Sequence, residues 1–225
     1  TVYQRVLAIL NKEQRGFLTP QKFNLYANQI QLDILERYFY DLDLYLTQPG
    51  NSTTHADMVS VIQDKISAFE VLAGPKAFTD PYFELPDNLY RLTAVTLAGK
   101  EATKVTQKEL IVITNSPLAT PTDSAPIYTK VDPGLIILAT TPRDANSPVA
   151  LIYVRVPNSV VWAYTDVLGT PQYNASNSAD FELDVSEETD LVVQILRLAG
   201  LEVRDLSTYE IANRMEATEN AQEKQ

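Results

Sequence analysis

Residues 19–46 read TPQKFNLYANQIQLDILERYFYDLDLYL, and the spacing of their apolar side chains decides the first part of the fold. Phe23, Tyr26, Ala27, Ile30, Ile34, Tyr38 and Leu42 recur at steps of three and four, the period of one helix face. Thr19 offers a hydroxyl to the free amides of a first turn, and Pro20 suits the first helical position. One long amphipathic helix is expected from about Pro20 to Leu46, stopped by Gln48-Pro49-Gly50-Asn51. Upstream, Val2, Val6, Ile9 and Leu10 share a face of a shorter helix that ends in the turn Arg15-Gly16-Phe17-Leu18. Downstream, Met58, Ile62, Ile66 and Phe69 predict another helix, with the segment from Ile66 to Leu72 partly extended.

Past Gly74-Pro75 the pattern changes to short runs rich in β-branched residues. Tyr82–Leu85, Leu92–Leu97, Glu109–Ile113, Leu135–Leu138 and Leu151–Val156 read as strands. Prolines at 117, 121, 126, 133 and 142 punctuate the loops, which supports a small antiparallel sheet or barrel. Helical spacing returns after Val185-Ser186-Glu187-Glu188, where Ser186 reads as a cap and the two glutamates as compensation for the helix dipole. Leu191, Val192, Ile195 and Leu198 follow, and Gly200 reads as the stop. A last helix is expected from about Asp205 to Ala217. The expectation is therefore an α+β fold. Segments 1–73 and 181–217 form one helical bundle, a small antiparallel β domain (74–180) is inserted into it, and 218–225 is a flexible tail.

Composition bounds the chemistry. A chain of 225 residues with 45% hydrophobic content is long enough to bury a real core. Eighteen basic against twenty-nine acidic residues give a net charge of −11, which disfavours a phosphate-gripping nucleic-acid binder and an anionic membrane surface. Without cysteine there are neither disulfides nor thiolate metal sites. No apolar run approaches the roughly 20 residues that cross a bilayer, and no basic-then-apolar leader precedes a cleavage site, so a soluble chain made in a cytoplasm is expected.

Catalytic patterns are equally sparse. His55 is the single histidine, in the polar stretch Asn51-Ser52-Thr53-Thr54-His55, and it reads as a surface loop residue. No Gly-x-Ser-x-Gly elbow, phosphate-cradling glycine loop or paired-histidine zinc motif occurs. Asp41 with Asp43, and Glu187 with Glu188, are too close in sequence to share a helix face as an acid–base pair. Asp80, Asp87, Asp123 and Asp132 lack the spacing of a calcium loop. The chain is expected to be no enzyme, with no catalytic residue, no cofactor and no metal.

The aromatic residues carry more. Tyr38, Phe39, Tyr40 and Tyr45 cluster at the end of the long helix and point around more than one face, so a single core buries only some of them, and a contact between subunits is the alternative. Trp162, between Tyr153 and Tyr164, reads as a core anchor. A glycan-binding reading needs aromatic platforms, for which Tyr128, Tyr153, Trp162, Tyr164 and Tyr173 are the candidates.

Three groups of residues carry a family resemblance. The first runs from Val6-Leu7-Ala8-Ile9-Leu10-Asn11-Lys12-Glu13-Gln14-Arg15-Gly16-Phe17-Leu18-Thr19-Pro20 through Phe23–Leu32. The second is Leu110–Thr122 with Ile127-Tyr128, Tyr153-Val154-Arg155-Val156-Pro157 and Trp162. The third is Phe181-Glu182-Leu183-Asp184, Glu187-Glu188 and Leu196-Arg197-Leu198-Ala199-Gly200. Together they resemble virion structural proteins of podophages, particularly crAss-like and related marine Bacteroidota phages.

The resemblance implies a head-to-tail adaptor in the virion, a ring beneath the portal that such phages commonly build as a dodecamer. It further implies docking on the portal above and on the next tail or ring protein below, non-specific passage of DNA, and no membrane partner. Candidate interface residues are then Tyr38, Tyr40 and Tyr45 on the helix, Ser116, Pro117, Leu118 and Pro121 in the loop, and Arg214 and Met215 in a C-terminal segment reaching the portal. The acidity suits a wall that repels DNA phosphates, and it equally suits simple solubility before assembly. Other tail or capsid-decoration proteins, a glycan-binding module, and a small hydrolase dependent on His55 are the alternatives.

Overall fold

The computed structural model describes residues 2–12, 18–47, 53–132, 134–168, 170–203 and 214. They form a mixed α+β fold with five α-helices and several antiparallel sheets. The chain divides into two compact units, residues 1–65 with 157–225, and residues 66–156.

The first unit opens with α1 (Val2–Lys12), α2 (Pro20–Thr47) and α3 (Thr53–Ser67), the last two residues of α3 falling in the second unit. The expected cap of α2 is present: Thr19 Oγ1 accepts the Lys22 amide at 3.3 Å. Phe23, Ala27, Ile30, Ile34, Leu35 and Tyr38 are the buried stripe of α2. His55 lies within α3, not in a loop, because the helix begins at Thr53.

The second unit holds β1 (Glu70–Ala73), β2 (Phe78–Thr79), β3 (Tyr82–Glu84), β4 (Leu89–Leu97), β5 (Lys100–Glu101), β6 (Thr103–Lys104), α4 (Gln107–Thr114), β7 (Ile127–Val131), β8 (Gly134–Leu138) and β9 (Val149–Arg155). One sheet has the order β1-β9-β4-β5, the other β2-β3-β8-β7-β6, all antiparallel except the β6–β7 pair. Val95, Leu97, Leu151 and Tyr153 from the first sheet meet Phe83, Tyr128, Leu135 and Ile137 from the second in one buried cluster. β8 crosses β3 so closely at Gly134 that a Cβ there would lie 2.3 Å from the Phe83 carbonyl oxygen, and only glycine fits.

α4 corrects the expected strand at Glu109–Ile113. The Thr106 hydroxyl accepts the Glu109 amide at 3.2 Å, and the Glu109 carboxylate accepts the Thr106 amide at 2.7 Å. This capping box satisfies two otherwise orphaned donors and outweighs the strand preference of Ile111, Val112 and Ile113, which tertiary context here does not enforce.

The first unit resumes with β10 (Tyr164–Val167), β11 (Thr170–Tyr173), short 3₁₀ turns at Ala175–Asn177 and Val185–Glu187, and α5 (Glu188–Val203). α5 packs on α1 and α2 and buries Leu191, Val192, Ile195, Leu196 and Ala199. It runs past Gly200, the expected stop: a helical glycine costs about 1 kcal/mol, less than the burial of that stripe gains. Asp184, and not Ser186, caps the 3₁₀ turn that leads into α5, its carboxylate accepting the Ser186 amide at 2.8 Å. The sequence places the changes of pattern at 73/74 and 180/181, whereas the units part at 65/66 and 156/157. The later boundary falls at Val156 because the extended segment after it is bound to α2 by side-chain amides, as described next. The expected turn at Arg15, the stop at Gln48–Asn51, the last helix (except Arg214) and the tail from 218 lie outside the described residues.

Candidate functional site

Three amides on one face of α2 hold the extended segment 158–162. Asn24 accepts the Trp162 amide at 2.8 Å and donates to the Trp162 carbonyl at 3.3 Å. Asn28 does the same to Val160, at 2.8 and 2.9 Å. Gln31 donates to the Asn158 carbonyl at 2.9 Å and accepts the Glu182 amide at 3.1 Å. Four helical residues rise about 6 Å and two strand residues about 6.6 Å, so a helix face and an antiparallel strand can stay in step over this length. α2 thus supplies the ladder partner that a neighbouring strand supplies in a sheet, and it sets the position of Trp162.

Around Trp162 the first unit gathers its aromatic residues. The Trp162 ring lies 4.3 Å from Tyr3, 5.5 Å from Tyr173 and 6.0 Å from Tyr164, and Tyr3 meets Phe23 edge-on at 4.8 Å. Burial, reinforced by the nearby Tyr164, raises the Tyr3 phenol above its ordinary pKa. Tyr3, Phe23, Trp162, Tyr173 and Phe181 line a pocket of about 240 Å³. Of the five aromatic residues available to a glycan platform, Tyr128 and Tyr153 are buried in the core of the second unit. Trp162, Tyr164 and Tyr173 are brought together, with three rings flanking the indole.

A second cluster is charged. Arg37 and Tyr38 on α2 and Lys65 on α3 face Glu187 and Asp190 at the start of α5. Lys65 Nζ donates to Glu187 at 2.5 Å, Arg37 donates to Asp190 and lies 3.9 Å from Glu187, and Gln194 donates to both Asp190 oxygens at 3.0 Å. Glu187 and Asp190 are buried, so Glu187 is a buried member of an ion-pair network and not the solvated dipole partner the sequence suggests. Glu188 pairs with Arg5 at 3.3 Å. Lys65 also sits 5.4 Å over the Tyr38 ring. The Tyr38 hydroxyl is buried beside Glu187 without a hydrogen-bond partner; burial, then Glu187, push its pKa well above the ordinary tyrosine value. Opposite charges matched across three helices describe a structural clamp. Among the described residues no group of three or more His, Cys, Asp or Glu side chains is placed to hold a metal ion. The His55 side chain lies outside the described residues.

The expected interface residues fall into different environments. Tyr38 is core, Tyr45 is half-buried and Tyr40 is 69% exposed. Ser116 and Pro121 are half-buried, Pro117 is exposed and Leu118 is 99% exposed. Arg214 is exposed, and Met215 lies outside the described residues. The strand reading of 109–113 concealed two further exposed apolar residues, Ile111 and Val112 on α4, which are 62% and 63% exposed. The loop is fixed at its far end, where the Asp123 carboxylate accepts the Thr141 hydroxyl at 2.6 Å and Arg143 at 2.8 Å. The Thr141 bonds hold the Asp123 carboxyl below the usual carboxylate range, with Arg143 adding to them. The sequence signals that were missed are the Thr106-x-x-Glu109 capping box and the Leu168-Gly169 pair between two short strand-like runs.

Among the described residues no helix is long and apolar enough to cross a membrane. No protein-family model matches the chain, and comparison with curated proteins finds no match.

Proposed function

We propose that this chain is a non-enzymatic virion structural protein, a ring-forming adaptor between the portal and the tail of a podophage. In this reading the helices of the two ends make one bundle carrying the inserted β domain. Copies contact each other around the ring, and portal and tail proteins dock on opposite faces.

The observation that carries it is the stretch Leu110–Thr122. Thirteen consecutive residues of a chain with net charge −11 bear no charge, and Ile111, Val112 and Leu118 stand in solvent there. Large apolar side chains left in solvent within an uncharged stretch suit a place where another protein sits. The partition of charge supports the channel. Residues 66–156 carry nine acidic and eight basic residues, while the remainder carries twenty acidic and ten basic. A ring that turns the acidic unit toward its bore repels the phosphates of a passing duplex and needs no specific contact with it.

Cryo-electron microscopy of purified virions tests the proposal. A symmetric ring of this chain between portal and tail is the expected result. Density on the capsid surface replaces the adaptor with a decoration protein, and density at the tail tip replaces it with a receptor-binding role.

A further inference from the structure

Five aromatic residues, Tyr3, Phe23, Trp162, Tyr173 and Phe181, line the pocket of about 240 Å³ in the first unit. Tyr3 is inclined to Trp162 by 45° and to Phe23 by 61°, and Tyr173 to Trp162 by 34°. Rings inclined in this way bound a hollow, whereas parallel rings close into a stack. The face of an aromatic ring carries the negative lobe of its quadrupole, so a hollow walled by such rings favours a positively charged guest. The walls are set before any guest arrives. Asn24 holds the Trp162 backbone by both its amide and its carbonyl, and Tyr164, stacked on the indole at 6.0 Å, accepts Gln21 at 3.3 Å.

Charge points the same way. Asp180 is the one charged residue lining the pocket, and among the described residues no Lys, Arg or His joins it there. The unit to which the pocket belongs carries twenty acidic and ten basic residues, and the resulting field draws cations toward it. The other polar groups of the lining are engaged. The Tyr3 hydroxyl donates to the Leu18 carbonyl at 3.2 Å, and the Ser178 hydroxyl donates to the Asn174 carbonyl at 2.7 Å and accepts the Ala163 amide at 3.0 Å. Asp180 already accepts the Phe181 amide at 3.1 Å, and its carboxylate is the main acceptor left. A primary ammonium brings three N–H donors that need acceptors, whereas a quaternary ammonium brings none.

We infer that the Trp162 pocket binds a quaternary ammonium cation, its trimethylammonium head lying among the rings of Trp162, Tyr3 and Tyr173 with Asp180 balancing the charge. The volume of about 240 Å³ exceeds the roughly 150 Å³ in which a protein cavity holds benzene, a molecule close in size to that head. Aromatic walls supply the attraction, the carboxylate supplies the counter-charge, and the guest leaves no N–H group without a partner. The site is independent of the adaptor reading, because it needs nothing beyond the first unit of one chain.

Trp162 is the single tryptophan of the chain, so its emission reads the pocket directly. Titration of the full chain with choline chloride at constant ionic strength should give a saturable emission change with a Kd on the order of 1 mM, as a few ring contacts and one exposed carboxylate allow. The neutral isostere 3,3-dimethyl-1-butanol, in which carbon replaces the charged nitrogen, should bind about tenfold more weakly, and n-butylammonium should also bind more weakly than choline. Asp180→Asn keeps the shape, removes the charge and should weaken choline binding by about two- to fivefold. Tyr173→Leu removes one ring at an exposed position, so it should keep the urea midpoint of wild type and lose about fivefold in affinity. Tyr173→Phe keeps the ring and should bind like wild type. No saturable change up to roughly 50 mM choline overturns the inference. So does an isostere bound as tightly as choline, which describes an apolar hollow and nothing more. Full choline affinity in the double variant of Asp180→Asn with Tyr173→Leu puts binding elsewhere and overturns it too. n-Butylammonium held more tightly than choline overturns the quaternary assignment. Phosphatidylcholine vesicles separate two sources of the same head: pelleting of the chain with them identifies a lipid headgroup, and choline binding without pelleting identifies a free solute.

Discussion

Asn28 and Val160, 132 residues apart in sequence, bind each other twice: the Asn28 side chain donates to the Val160 carbonyl at 2.9 Å and accepts the Val160 amide at 2.8 Å. One primary amide thereby replaces the two bonds that a β-strand neighbour provides. With Asn24 and Gln31 it turns α2 into a partner for extended chain, at a point where the segment has no sheet to join.

Asn28→Ala should remove both bonds and leave the amide of the buried Val160 without a partner. The expected loss is about 1–3 kcal/mol, read as a lower urea midpoint with an unchanged slope. A midpoint equal to wild type would show that the segment after Val156 does not depend on α2.

Glu187→Ala should be costlier than its position at a helix start suggests. It strips Lys65 and Arg37 of a shared carboxylate in a partly shielded cluster, with an expected loss of about 1–3 kcal/mol once solvent screening of Arg37 is allowed for. Glu188→Ala, which breaks only the more exposed pair with Arg5, should cost under about 1 kcal/mol. Equal losses in the two variants would refute the clamp.

Tyr38→Phe should leave stability at pH 7 unchanged or raise it by up to about 1 kcal/mol, because it deletes a buried hydroxyl that has no hydrogen bond. The phenol's pKa in the folded chain is raised. Its contribution is therefore complete below the unfolded value of about 10 and is lost as pH climbs above it. Wild type should lose more stability than Tyr38→Phe between about pH 10 and pH 12, measured by urea melts at each pH.

Replacing Ile111, Val112 and Leu118 together by serine should change folding stability by less than about 0.5 kcal/mol per site, as expected for exposed positions. The same triple variant should lower the amount of this chain recovered in particles, quantified by mass spectrometry of purified virions. Normal incorporation would remove the surface on which the proposed function rests.

What the sequence discloses depends on how far apart the cooperating residues lie. α2 was legible because its stripe and its Thr19 cap are local, and β4, β8 and β9 because long apolar runs give few alternatives. α4 was misread because three β-branched residues in a row outvote a cap that sits just before them, although the Thr106–Glu109 box is itself a local signal. β10 went unread because its four residues are all exposed and carry no burial pattern. The aromatic pocket was illegible for another reason. Tyr3 and Trp162 come together only through the amides of α2, and nothing in the spacing of Asn24, Asn28 and Gln31 marks them as more than a polar face. Glu187 looked solvated for the same reason, since its partners Lys65 and Arg37 lie 122 and 150 positions earlier.

The amide ladder also imposes a schedule on synthesis. Asn24, Asn28 and Gln31 emerge from the ribosome long before Asn158, Val160 and Trp162 exist. At about 5–20 residues per second, α2 waits on the order of ten seconds for the segment it must grip. During that interval residues 66–156 are completed and have all their own sheet partners to hand. The nascent chain therefore finishes its middle before its beginning, and a chain cut short after Val156 holds helices whose amides never meet their backbone.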